Sequence, residues 1–344
     1  MTSSSSNLLQ PDATRAASRS LTRRDALVTL SASFALASGS TSASAQGYPQ
    51  RPLKMVVAYP PAGATDILAR LIGQKLSEKL GQGVVIDNRP GAGSTLGMEM
   101  AARLPADGHN LFLSAVTTQA IASYLYPNVK ADLARDFVPV SLIANAPHML
   151  IIHPDVPART VPEFVRWLKS RNGDVNFASQ GTGTLSHLES ELFCQQVGAK
   201  AVHVAYKGSS LAVSDLLSGT VSFMFDSVAA AMPLVRAGKV RALAVASSNR
   251  VPAMPDLPTV SQAGIAGYDA DNWFGLYVPK GTPASAIATL AQATADVTKD
   301  PDTVDNLVQK GYIVTPGDGT RLAAMGALDH VRWEKVIRSV GVVL

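Results

Sequence analysis

The chain has 344 residues, of which 47% are apolar and only 16% charged, with a formal net charge of +4. That length exceeds the usual single domain, and the apolar share can build two sizeable cores. So little charge excludes a disordered chain and a nucleic-acid groove, which needs clustered Lys and Arg.

Residues 1–45 read as an export signal. A Ser-rich start leads to Arg23-Arg24, a soft apolar stretch to about Ala37, and Ala43-Ser44-Ala45 before Gln46. These are the charged, apolar and cleavage regions of a signal peptide. Paired arginines before a weakly apolar run fit the twin-arginine export machinery. Val28 to Ala37 is too short and too Ser-rich to span a bilayer. Four of the 30 Lys and Arg and two of the 26 Asp and Glu lie in this prefix, which leaves +2 for the exported part. No anionic polymer is implied as a partner. Cys194 is the only cysteine, so no intrachain disulfide forms, and its apolar setting predicts a buried, inert thiol. No second long apolar run follows, and the exported protein is expected in solution.

From residue 53 onward strand and helix signals alternate, which predicts an α/β fold with largely parallel sheets. Leu53 to Tyr59 is an apolar strand ended by Pro60-Pro61. Ile67, Leu68, Leu71, Ile72 and Leu76 then recur at helical spacing, and Gly81 stops the helix. Val84 to Ile86 and Leu111 to Ser114 are strands, with a helix opening at Gly91 to Thr95 and ending near Arg103 between them. His148 to His153 is a strand before a helix around Pro162 to Lys169. Asn176 to Ala178 is a short strand, followed by a Gly/Thr turn and a helix from Leu185 to Val197. Further strands are expected at Val202 to Tyr206, Val221 to Phe225, Ala242 to Ala246 and Trp273 to Val278, and the remainder is read as mainly helical. No repeat and no pure linker divides the chain, so two lobes joined by crossing strands fit best. The crossings are placed near Ala144 to Leu150 and Gly264 to Trp273. This assigns residues 46–147 plus 267–344 to lobe 1 and 148–266 to lobe 2.

Three segments share one design: a strand end, a loop of Gly and small hydroxyl residues, then a helix start. They are Tyr59 to Asp66, Pro90 to Thr95 and Ser179 to Thr184. The first amides of a helix lack internal partners and carry the positive end of its dipole. Small residues let an anion approach them without any Arg or Lys. Ordinary capping by Thr65, Ser94 or Thr184 explains any one loop equally well; three loops together point to an anion held in a cleft. Asp66 reads as a structural acceptor of free backbone donors.

Rival chemistries find little support. The Gly91-Ala92-Gly93-Ser94-Thr95-Leu96-Gly97 run is separated from its strand and its last Gly falls one position late for a dinucleotide fingerprint. No P-loop Lys follows any loop, and no G-x-S-x-G occurs. Ser186 and His187 are neighbours on a helix, so their side chains diverge. The six His, at 109, 148, 153, 187, 203 and 330, form no metal-ligand spacing, and no cofactor is expected. Among aromatics, Tyr59 and Trp273 are the candidates for lining a pocket.

Several longer stretches, in order and spacing, resemble the Bug family of periplasmic solute-binding proteins, related to the receptors of tripartite tricarboxylate transporters. They are Tyr59 to Arg70, Asp87 to Ser94 with Gly97, Asp136 to Val140, Ser179 to Leu188, His203 to Gly208, Leu257 to Thr259 and Trp273 to Gly275. The resemblance implies a type II periplasmic binding protein fold: two α/β lobes, two crossing strands and a ligand cleft between them. It implies carboxylate recognition by backbone amides, small hydroxyls and water. Residue by residue it points to Tyr59, Ala62, Gly63 and Ala64 in the first loop, and Ser94 and Thr95 in the second. From the other lobe it points to Ser179, Thr184 and His187, with Asp226 at a strand end; Thr117 and Thr118 are additions. Two departures stand out: Tyr59 and Ala62 replace a Phe and a Gly common in the family's first loop, and Ser94 replaces another Gly.

The expected function is binding of a small mono- or dicarboxylate, aliphatic or aromatic, for uptake or sensing. A monomer is expected to serve membrane carrier subunits or a sensor protein. The alternative is a periplasmic hydrolase or lyase on a small carboxylic substrate, for which an Asp226–His187 pair is the one arrangement worth testing.

Overall fold

Short strands that are apolar along both faces require cover on both sides. The central strands of the two sheets have it, whereas the edge strands Val84–Asn88, Val202–Ala205 and Ile313–Asp318 stay partly exposed. A computed structural model describes residues 47–126 and 128–342, so the export-signal reading of residues 1–45 lies outside the described residues. The strands are β1 (Leu53–Val57), β2 (Val84–Asn88), β3 (Asn110–Ala115), β4 (Phe137–Asn145), β5 (His148–Ile152), β6 (Asn176–Ser179), β7 (Val202–Ala205), β8 (Phe223–Ser227), β9 (Arg241–Val245), β10 (Trp273–Pro279) and β11 (Ile313–Asp318). The helices are α1 (Ala64–Leu80), α2 (Thr95–Ala102), α3 (Val116–Leu125), α4 (Leu133–Asp136), α5 (Val161–Ser170) and α6 (Leu185–Val197). They continue with α7 (Ser209–Leu217), α8 (Val228–Arg236), α9 (Ala284–Lys299), α10 (Pro301–Gln309) and α11 (Gly319–Val340).

One sheet has the order β11-β4-β10-β3-β1-β2 and the other β7-β6-β8-β5-β9. The expectation of largely parallel sheets needs correction, because both are mixed. β1 is parallel to β2 and β3, and β6 to β7 and β8. β10 runs antiparallel to β3 and β4, and β5 antiparallel to β8 and β9. A strand reached by a direct crossing enters without a βαβ turn, so nothing forces it parallel.

Side chains alternate between clusters on opposite faces. Met55 and Val57 join one core and Val56 and Ala58 another. In the second sheet Leu150 and Ile152 face one core and Met149 and Ile151 the other. Two strands escaped the sequence reading. β4 contains Pro139, which breaks the apolar run, and β11 is only half-buried along its polar Thr315-Pro316-Gly317-Asp318 end.

The chain passes between sheets where β4 ends at Asn145 and β5 begins at His148, and again in the stretch from β9 to β10. Asn145 ties the two passages together: its Oδ1 accepts from the Asn272 amide at 3.0 Å, and its Nδ2 donates to Asp271. The last helix, α11, links the two sheets. Leu322 packs in a core of the first sheet, whereas Trp333 and Ile337 join the core around Phe164, Phe193 and Phe225 of the second. No described helix is long and apolar enough to cross a membrane.

Candidate functional site

The first functional loop follows β1 directly. Gly63 caps α1 with extended backbone and no side-chain bond. The Ala64, Thr65 and Asp66 amides therefore find no acceptor among the described residues, as the start of a helix dictates. Those of Ala64 and Thr65 border a narrow cavity. Tyr59, Pro60, Gly63, Ala64 and Thr65 form one wall, with Ala115 and Thr118 from the β3–α3 junction. His148, Gln180, Gly208 and Ser209 come from the second sheet's side, and Asn272 and Phe274 from the returning strand. Among the described residues no Lys or Arg lines it.

Of the residues singled out from sequence, the cavity gathers Tyr59, Gly63, Ala64 and Thr118. The Tyr59 hydroxyl lies against the hydroxyls of Thr118 and Ser94, and burial pushes it up to about 12, so it stays a neutral donor. Ser94 stands behind it, in the left-handed region at φ 78°, with Oγ accepting from Gln119 Nε2 at 2.9 Å.

Other candidates are spent internally. Ala62 has φ 68° and turns its N–H 3.0 Å from Asp66 Oδ2, away from the cavity. Thr95 Oγ1 donates to the Ala92 carbonyl at 2.8 Å. Thr117, one residue before Thr118 and so about 100° around the helix, bonds Asp329 Oδ2 at 2.6 Å. Trp273 packs beside the core under β3, because strand alternation gives the cavity face to Asn272 and Phe274.

The third loop works by organising itself. Burial and the adjoining His187 push His203 down to about 3, so its neutral Nε2 faces the Ser179 hydroxyl at 2.6 Å. Thr184 Oγ1 donates to the Gly181 carbonyl at 2.7 Å. The His187 ring stacks 3.7 Å from that of His203, and its Nδ1 accepts from the Gly183 amide at 3.2 Å. The net effect is to send Gln180 into the cavity.

Asp226 lies behind that wall, fully buried, and accepts from Gln180 Nε2 at 2.6 Å, Ser209 Oγ at 2.5 Å and the Ser227 amide at 2.8 Å. Burial pushes its carboxyl up, and the Ser209 hydroxyl, His148 and the two N–H donors pull it back only in part. None of its bonds goes to His187, so the acid–base pair considered for hydrolysis does not form. His148 is itself buried, with Nδ1 2.6 Å from Glu189 Oε2. Burial pushes His148 down, but the Glu189 carboxylate overrides it and raises the imidazole.

Sequence reasoning missed His148, Gln180, Ser209 and Asn272. One signal was legible: Lys207-Gly208-Ser209 after β7 is a fourth Gly/hydroxyl helix start. His148 and Asn272 flank the two passages between sheets and carry no local motif. Cys194 is buried, which pushes its thiol up to about 12 and leaves it unreactive.

Two mixed α/β sheets, two direct passages between them and a polar cavity where helix starts meet define a solute-binding receptor. The chain belongs to the family of tripartite tricarboxylate transporter receptors, whose profile matches residues 68–342. It is 38% identical over 310 residues to a UPF0065 protein in the tcbD-tcbE intergenic region of Pseudomonas sp. strain P51, covering 89% of this chain and 92% of that one. It is 35% identical over 302 residues to BugT of Bordetella pertussis, covering 87% and 92%. The R. palustris protein Rpa4515, solved with adipate, superposes with a TM-score of 0.84 at 32% identity over 86% of this chain and 99% of that one. MatC from Rhodopseudomonas palustris with bound malate gives a TM-score of 0.79 at 32% identity over 84% and 100%. Membership makes this a periplasmic receptor rather than an enzyme.

Proposed function

We propose that the protein captures a small mono- or dicarboxylate, aliphatic or aromatic, in this cavity for uptake or sensing. The observation that carries the reading is the pair of open amides at Ala64 and Thr65 bordering a cavity that no Lys or Arg among the described residues lines. A carboxylate there gains hydrogen bonds and the positive end of a 17-residue helix. The Tyr59 and Thr118 hydroxyls extend the donor set. Relatives solved with adipate and with malate support the same class of ligand.

Residues 1–45 act as the signal, by the twin-arginine route, and a monomer delivers the ligand to membrane carrier subunits or a sensor. Lobe 1 comprises residues 46–147 and 267–344 and lobe 2 residues 148–266, with the end of α11 packed on lobe 2. A thermal-shift screen over mono-, di- and tricarboxylates, aromatic acids and amino acids tests the function. Ligand at 100 times its Kd adds about 2.7 kcal/mol to native stability, an easily read rise in Tm. A flat response to every carboxylate refutes the proposal.

A further inference from the structure

Building on the carboxylate reading, we infer that Gln180 is a specificity-determining residue that selects carboxylates bearing a hydroxyl over the same acids without one. Asp226 acts through it as a positioning residue.

The argument rests on which way polar groups point. Asp226 receives Gln180 Nε2 and the Ser227 amide on Oδ1, and the Ser209 hydroxyl on Oδ2. An ionised carboxylate only accepts, so it fixes the direction of each partner. The Gln180 amide nitrogen is held inward, and its Oε1 takes no protein donor among the described residues. Ser209 gives its proton to Asp226 and turns its lone pairs outward. Asn272 adds an independent sign. It is 5% exposed, lines the cavity, and its Oδ1 has no hydrogen-bond partner. Buried amide oxygens left unpaired are costly, and a ligand that donates to them removes the cost.

The same wall holds the open amides at the start of α7, next to Ser209. A group placed there must donate to an amide oxygen and accept from an amide N–H. A hydroxyl does both, and a methylene does neither. A second carboxylate cannot donate, and it would meet the Gln180 oxygen with Asp226 behind it. His148 offers such an anion little net charge, because Glu189 sits 2.6 Å from its ring nitrogen. The ligand that fits has its carboxylate at α1 and its hydroxyl at Gln180.

Calorimetry at neutral pH with two matched pairs, malate against succinate and lactate against propionate, tests the inference. The hydroxy acid of a pair is expected to bind about tenfold tighter or more, since a site built for a hydroxyl rejects the analogue lacking it. Gln180→Met keeps length but removes the oxygen, and Asp226→Asn frees the Gln180 amide to turn over. Both should bring the ratio close to one, with Tm recorded alongside. If Asp226→Asn does not fold, Gln180→Met decides alone, because Gln180 is only half-buried. A native ratio near one overturns the inference. So does a variant that weakens both acids equally and keeps the ratio, the signature of a merely structural role. Binding of none of the four acids also overturns the inference, whereas the carboxylate reading beneath it falls only if the thermal-shift screen is flat for every carboxylate as well.

Discussion

Asp66 and Asp226 are both buried aspartates beside the cavity, and their surroundings push them in opposite directions. Burial raises both, but Asp66 accepts from Arg70 Nε at 2.9 Å, the Ala62 amide at 3.0 Å and Asn88 Nδ2 at 3.0 Å, and ends below the ordinary value. Asp226 has no guanidinium and ends above it. Asp66 thus works as an anion that locks the first loop, as its helix-start position suggested. Asp66→Asn is expected to destabilise the fold by about 1–3 kcal/mol, read from urea unfolding. Because the folded carboxyl titrates lower than the unfolded one, its contribution is complete above about pH 4 and is lost as pH falls through the lowered value. The native protein should therefore lose stability on that acid limb more steeply than the variant; parallel curves would show that the carboxylate charge contributes nothing.

At the scale of elements, close approach explains two of the sequence's glycines. Gly97 seats α2 on β1: a Cβ there would meet the Arg89 carbonyl at 2.6 Å and Ala58 Cα at 2.7 Å. That contact accounts for the near-miss dinucleotide pattern without any nucleotide. Gly208, capping α7 at φ 115°, packs directly against Pro60 of the other wall, where a Cβ would lie 2.3 Å from the ring. Gly208→Ala meets both backbone strain and this collision, so the two walls must separate. Affinity is expected to fall about tenfold or more, since both walls supply contacts. Small-angle scattering should show no contraction on adding ligand. Native-like affinity and contraction would mean that the Pro60–Gly208 approach does not matter to closure.

For the molecule as a whole, α3 and α11 bind the two sheets into one body. Tyr126, just beyond α3, donates its hydroxyl to the Thr182 carbonyl at 2.7 Å, tying the first sheet's side to the third loop. Trp333 on α11 is fully buried in the second sheet's core. Trp333→Ala is expected to cost about 3–5 kcal/mol of unfolding free energy. In denaturant, the second sheet's core should then unfold before the first; a single unshifted transition would show that α11 is dispensable there.

Most of β1 to β3 and β5 to β10 was legible, because short runs rich in apolar residues between turn residues read as strands. The helices at Ala64 and Leu185 were legible from periodicity and their flanking glycines. β4 and β11 were hidden by Pro and Gly, and the antiparallel sense of β5 and β10 by the absence of any local mark of direction. The loops that border the cavity could be named from composition, since Gly and small hydroxyls at helix starts leave amides open. Which side chains enter the cavity could not. Thr117 and Thr118, or Ser179 and Gln180, are adjacent in sequence, and only the rotation of a helix or the hydrogen bonds of a folded loop separate them. The sequence determined the class of protein, through its resemblance to a known family, and the donor end of its cavity, which follows from local pattern. The tertiary structure alone decided the opposite wall, because Gln180, Asp226, Ser209 and His148 come from four separated segments that meet only when the second sheet forms, and Asn272 joins them from the returning passage.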